Sequence, residues 1–220
     1  MQNQAGSIGR LVTWVNQAWN EVQTEHDDWI WMRSTAGLGA GMSFVPAVGL
    51  GAFPQASFPL GTTAGTTCGV DPTKFGKWVK NSFRNYTTSV GPINEIFMDQ
   101  ISYDDWYNVY LFGANRSVQT RPVAIATGPD ESICLGPPSN GLYTITGDYI
   151  VAPTLMSADT DVPNLLPNQY HMLIVYKAMQ KYGMYESAPE VVQRGEMEYG
   201  LMLAQLEAIK MEEIGFAGGL

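Results

Sequence analysis

The sequence predicts an α+β fold: a small α-helical bundle formed by the N- and C-terminal helices, with an antiparallel β-rich region inserted between them. Three observations predict it. Apolar residues at helical spacing open the chain, a period of two marks residues 143–151, and helical spacing returns from residue 168 onward. That order places the bundle in residues 1–35 and 155–220 and the β-rich insertion, with a long Gly/Pro-rich loop, in 36–154. A chain of 220 residues buries roughly 70% of its unfolded surface and needs no external staple. Cys68 and Cys134 lie far apart, outside any C-x-x-C spacing, and read as small apolar residues.

The first helix rests on Ile8, Leu11, Val12, Val15, Ala18, Trp19 and Val22, which form one stripe, with Ser7 as N-cap and Asn16, Gln17, Asn20 and Gln23 opposite. "HDDWIWMR" then reads as a cap and one or two further helical turns, in which Trp29 and Trp31 cannot share a face. From Ser34 to Val70 no residue is charged. Gly and Pro punctuate that stretch too often for a long helix, leaving short extended pieces or a long loop. Phe44, Phe53 and Phe58, if exposed there, would be an aggregation hazard in a monomer, so they are assigned to contacts between subunits or with a partner protein.

Lys74, Lys77, Lys80 and Arg84 step by 3, 3 and 4, so a helix would carry all four on one side. A solvated helix face and a charged contact, to an acidic partner subunit or to passing DNA, are the two readings of that stripe. "SYDDWYNVY" predicts a short helix with Ser102 as cap and Asp105 completing a capping box. "RPVAIAT", "SICL" and "LYTITGDYIV", separated by Gly/Pro turns, predict an antiparallel meander. In its last strand Tyr143, Ile145, Tyr149 and Val151 alternate with Thr144, Thr146 and Asp148. Two long helices close the chain, divided at "SAPE", where Ser187 and Glu190 read as a capping box with Pro189 in the first turn. Gly195, Tyr199, Met202, Leu206 and Ile209 form the packing stripe of the second.

Chemistry is thinly marked. The GLGAG at 37–41 lacks the strand before it and the helix after it that a dinucleotide loop requires, and reads as a plain loop. His171 has no ligand-spaced partner and reads as a satisfied helix-face residue; His26 beside Asp27 and Asp28 reads as a capping cluster. Asp159 and Asp161 lack the rest of a calcium loop. With no G-x-S-x-G elbow and only solvated carboxylate pairs, no catalytic, metal or cofactor site is predicted. The net charge of −9 argues against tight binding to phosphate backbones but suits a surface that DNA slides past. No basic leader and no run of eighteen apolar residues is present, so the chain is expected to be made in the cytoplasm and to avoid membranes.

"LVTWVNQAWNEVQTEHDDWIWMR", "YDDWYNVY", "RPVAIATGPDESICLGPP", "GLYTITGDYIVAPTLM" and "DVPNLLPNQYHMLIVYKAMQKYGMYESAPEV", in that order, resemble the head-to-tail adaptor (connector) proteins of short-tailed bacteriophages. The matching positions are Trp14, Asn16 and Ala18; Trp29 and Trp31; Tyr149 and Pro153; Pro167 and His171; and Tyr182, Tyr185 and Glu186. The resemblance implies a non-enzymatic structural protein of the virion neck. It implies a ring, usually of twelve copies, bound beneath the portal protein and joined to the tail nozzle or tail-tube protein, with DNA passing through without specific binding. The uncharged 34–70 segment is longer than the family pattern. On this reading the C-terminal Ile214, Phe216 and Leu220 form a hook for a portal or tail groove, and Phe44, Phe53 and Phe58 belong to a portal or tail interface.

Trp14, Trp19, Trp29, Trp31 and Trp106 are read as packing anchors. Trp14 and Trp19 are about 140° apart on a helix, so they make no flat stacking platform. Two alternatives stand beside the adaptor. One is another tail ring component, a tail-tube or tail-completion protein. The other is a ligand- or sugar-binding module on the β region, stacking its ligand on Trp106, Tyr107 and Tyr110.

Overall fold

The computed structural model describes residues 2–26, 29–35, 41–46, 56–153, 155–156, 158, 160–163 and 166–210. It has the predicted α+β composition, with helices at both ends and mainly antiparallel sheets between them. Two compact units emerge, Met1–Met32 with Pro153–Leu220, and Arg33–Ala152. Among the described residues no helix is long and apolar enough to cross a membrane.

In the helical unit, α1 (Gln2–Thr24) packs on α3 (Met172–Tyr185), which pairs with α4 (Pro189–Lys210). The stripe of α1 is divided: Ala18, Trp19 and Val22 are buried, whereas Ile8, Leu11 and Val12 are exposed. Ser7 lies inside α1, so the helix does not start there. The turn after α1 is one 3-10 turn, Ile30–Met32, rather than further α-helix. That tight turn brings together the rings of Trp29 and Trp31, 5.7 Å apart, and Trp31 in turn stacks on Trp19 at 6.0 Å.

Only three residues separate α3 from α4, which makes the pair an antiparallel hairpin. Ser187 is not the N-cap of α4. It takes a left-handed φ of 55°, and the Ala188 N–H donates to the Gly183 carbonyl at 2.9 Å. This six-to-one bond is the Schellman closure of α3, with serine where glycine is usual. Gly195, Tyr199 and Leu206 are buried as their spacing predicts, Met202 is half-buried, and Ile209 stands exposed beyond the last buried turn.

The other unit holds three small sheets and a helix. The first is β1 (Arg33–Ser34), β11 (Tyr149–Val151) and β4 (Phe75–Trp78), in that order. The second runs β2 (Met42–Phe44), β10 (Tyr143–Gly147), β5 (Arg84–Thr87) and β6 (Ile96–Phe97). In the third, β3 (Ser57–Phe58) lies beside β9 (Ile133–Gly136), then β8 (Ala124–Thr127) and β7 (Asp99–Gln100), and the β7–β8 pair is parallel. All three sheets contribute to one apolar core that includes Met42, Phe58, Trp78, Ile125, Leu135, Ile145 and Tyr149.

The expected meander is thus only partly formed. β8 and β9 make the hairpin, but β10 leaves for the second sheet and pairs with β2 and β5. The period-two stretch also breaks at Asp148, where the chain passes from β10 to β11. The buried Asp148 carboxylate accepts from both Nε and Nη2 of Arg33, at 2.9 and 2.7 Å, which offsets its loss of hydration. Helix α2 (Tyr103–Tyr110) begins as predicted: Ser102 Oγ accepts from the Asp105 N–H at 3.1 Å and donates to the Asp105 carboxylate at 2.7 Å.

Candidate interaction surfaces

The residues singled out for charge and contact fall in several places. Lys74, Lys77, Lys80 and Arg84 are not on a helix. Phe75–Trp78 is β4, and Arg84 starts β5. The helix-like spacing has a specific cause in the strand. Trp78 pairs with Tyr149, Lys77 with Ile150, and Phe75 with Val151, so Gly76 is the extra residue of a β-bulge. A side chain at Gly76 would meet the Ile150 carbonyl oxygen at 2.8 Å. The bulge returns Phe75 and Trp78, three residues apart, to the same inner face, with ring centroids 4.7 Å apart, and leaves Lys74, Lys77 and Lys80 exposed. Lysines and a bulge on an outer strand also discourage the addition of a further strand.

Phe44 and Phe58 form neither an intersubunit surface nor a portal or tail interface. Both are buried in the core of the β-rich unit, with rings 5.2 Å apart, because the neutral segment around them supplies the short strands β2 and β3 rather than a free loop. Phe53, Ile214, Phe216 and Leu220 lie outside the described residues, as does Asp159. Trp19, Trp29 and Trp106 are buried, while Trp14 and Trp31 are half-buried. Trp14 meets the rings of Tyr182 and Tyr185, and Arg10 lies over Tyr185 and hydrogen-bonds to its hydroxyl. Trp106 offers no sugar-stacking face, since its ring is enclosed and its Nε1–H donates to the Leu135 carbonyl at 2.9 Å. Of its supposed companions Tyr107 is exposed and Tyr110 half-buried.

His26 bridges to Glu207 on α4 at 2.7 Å and meets Trp29 edge-on, so its role is tertiary rather than capping. His171 Nε2 lies 3.0 Å from the Leu166 carbonyl oxygen. Near His26, the buried Tyr199 hydroxyl donates to Glu25 at 3.2 Å. Burial first, then the negative charges of Glu25, Glu21 and Glu207, push its ionisation well above the ordinary tyrosine range. A phenol whose folded pKa is raised contributes stability that is complete below the unfolded value of about 10 and is lost as pH rises beyond it. Tyr199→Phe is therefore expected to flatten the fall in stability above about pH 10, measured by denaturant unfolding across that range. An unchanged alkaline slope would exclude Tyr199 as its source.

A cleft of about 450 Å³ in the β-rich unit is lined by Arg33, Asn81, Ser82, Arg84, Glu95 and Asp148, among others. Its charges balance internally, Arg33 against Asp148 at 2.7 Å and Arg84 against Glu95 at 3.5 Å. Among the described residues no group of three or more His, Cys, Asp or Glu is placed to hold a metal ion. What the unit does present is apolar. Ile93, Phe112 and Phe97 are 90%, 76% and 68% exposed. Spacing alone did not single these out, because a residue that faces outward from a loop has no periodic partners.

Residues 2–215 match the protein family described as SU10 adaptor protein. The chain belongs to the SU10 adaptor protein family. It is thereby a bacteriophage structural adaptor, of a kind that deals with portal and tail proteins in the neck of the virion. No curated protein matches it. The adaptor's charge is divided unevenly: the helical unit has 5 Lys and Arg against 13 Asp and Glu, the β-rich unit 7 against 8.

Proposed function

We propose that the adaptor assembles as a ring, of twelve copies, beneath the portal and joins it to the tail nozzle or tail-tube protein, its centre forming part of the DNA channel. The observation that carries this reading is the family match over nearly the whole chain. Two features support it. Large apolar side chains stand exposed in both units, among them Leu11 and Met197 in one and Phe97 and Phe112 in the other, as expected of a subunit whose neighbours cover it. The strongly acidic helical unit repels phosphates, which lets DNA pass without sticking.

In this arrangement Ile214, Phe216 and Leu220 hook a groove of the portal or tail, and Lys74, Lys77 and Lys80 meet an acidic neighbour. The test is mass by light scattering of the purified adaptor, alone and mixed with the portal ring of the same phage, followed by electron microscopy of the mixture. A ring on the portal is the expected result. An adaptor that ignores the portal would overturn the reading.

A further inference from the structure

We propose that neighbouring copies join by a knob-and-socket contact. The β5–β6 loop of one subunit seats Ile93 in an apolar socket between α2 and Pro137 of the next. The contact deepens the ring reading and rests on it.

The knob is built before it meets anything. Asn94 holds the two ends of the loop together: its Oδ1 accepts from the Thr87 N–H at 3.1 Å, and its Nδ2 donates to Thr87 Oγ1 at 2.8 Å. The N–H groups of Val90 and Gly91 both donate to the Thr87 carbonyl at 3.0 Å. Gly91 takes a φ of 79°, the left-handed value glycine allows, and Pro92 starts the 3-10 turn that ends at Asn94. Arg121 clamps the base, donating to the Asn94 and Asn85 carbonyl oxygens at 2.7 and 3.0 Å. At the tip of this hydrogen-bonded loop Ile93 is 90% exposed, with the exposed Val90 nearby. An ordered loop that holds a branched apolar side chain in water contributes nothing to its own core. It does lower the ordering cost of association, because little freedom is left to lose.

The socket is equally fixed and lies in the same unit. A hollow of about 170 Å³ is lined by Val109, Tyr110, Asn115, Val118 and Pro137. It offers the room of five or six waters at about 30 Å³ each. Asn115 pins its wall by donating to the Val109 carbonyl at 3.0 Å, and the Val118 N–H donates to the Asn115 carbonyl at 3.1 Å. Val109 and Val118 are each nearly half exposed. The flanks are complementary in charge. Arg84 is matched by Glu95, which leaves Arg121 as the net charge at the base of the knob, whereas Asp105 precedes the socket residue Val109 by one turn of α2.

At 90% exposure Ile93 does not occupy the socket of its own chain, and the opposite charges flanking knob and socket argue for a second copy as the occupant. Knob and socket are different patches, so the contact is heterologous, the type that closes into a ring when the rotation permits.

The test places a photo-reactive maleimide on Ile93→Cys, a position whose exposure makes the change harmless to folding. The labelled adaptor is assembled on the portal ring and irradiated, and the linked peptides are read by mass spectrometry. Linkage to residues 109–118 or Pro137 of a second adaptor copy is expected. Unlabelled Val118→Asp, which puts a charge in the socket, is expected to lower ring yield about tenfold or more. Rings that form normally with Val118→Asp, or whose label reaches only portal or tail peptides, would overturn the contact while leaving the ring reading intact. Wild-type protein that forms no ring on the portal would overturn both.

Discussion

Trp19→Ala is expected to cost about 3–5 kcal/mol, the range for emptying a fully buried aromatic site. Trp19 is completely enclosed, and its loss reaches past one side chain. Its ring stacks on Trp31 at 6.0 Å and 23°, Trp31 leans on Trp29 at 5.7 Å, and His26 meets Trp29 edge-on at 4.8 Å. The Trp29 Nε1–H donates back to the Val22 carbonyl at 3.2 Å, fastening the chain after α1 onto the helix it has just left. Each indole buries about 150–250 Å². Removal of the first leaves a cavity against Trp31, whose ring cannot move in to fill it without losing its contact with Trp29. Denaturant unfolding followed by tryptophan fluorescence measures the loss, and Trp19→Phe should recover a good part of it. A Trp19→Ala protein that unfolds at the wild-type midpoint would mean that the cluster contributes little to the helical unit.

The tryptophan cluster shows what spacing reveals and what it hides. The burial of Ala18, Trp19 and Val22 follows from their positions on a helical stripe, and so does the burial of Gly195, Tyr199 and Leu206. The approach of Trp29 and Trp31 does not follow, since it depends on a 3-10 turn where an α-helix was expected. The lysines are a sharper case. A bulge at Gly76 turns a period of two into an apparent period near three, and no count of apolar positions distinguishes that from a helix. The burial of Phe44 and Phe58 is hidden from the sequence for a related reason. Lack of charge and abundance of glycine look alike in an exposed loop and in short buried strands. The fate of β10 was hidden as well, because hairpin turns predict a neighbour in sequence but not a strand that changes sheet. Among surface candidates, Ile93 and the hollow at Val118 carry no sequence signal, because their meaning lies in a loop that is pinned and a side chain that is left out.

Two glycines of α4 should respond to substitution with opposite signs, although they lie five residues apart. A Cβ at Gly195 would stand 2.9 Å from the Tyr176 carbonyl oxygen of α3 and 3.1 Å from Gln180 Cγ. The nearest atom is backbone and cannot turn aside, so Gly195→Val must push α4 away from α3. Such overpacking costs about 1–3 kcal/mol. Gly183 repeats the constraint from the other helix, its missing Cβ lying 2.8 Å from Val192 Cγ2, so the α3–α4 hairpin is drawn close at two points. Gly200 is exposed and has nothing within 4 Å of its missing Cβ. There only the helix propensity changes, and Gly200→Ala should stabilise by about 0.8–1 kcal/mol. Thermal unfolding of the two variants beside wild type tests the pair of signs together. If Gly195→Val matched or exceeded wild-type stability, the close approach of α3 and α4 would be wrong. If Gly200→Ala were destabilising, that exposed face of α4 would have a partner that the single subunit does not provide.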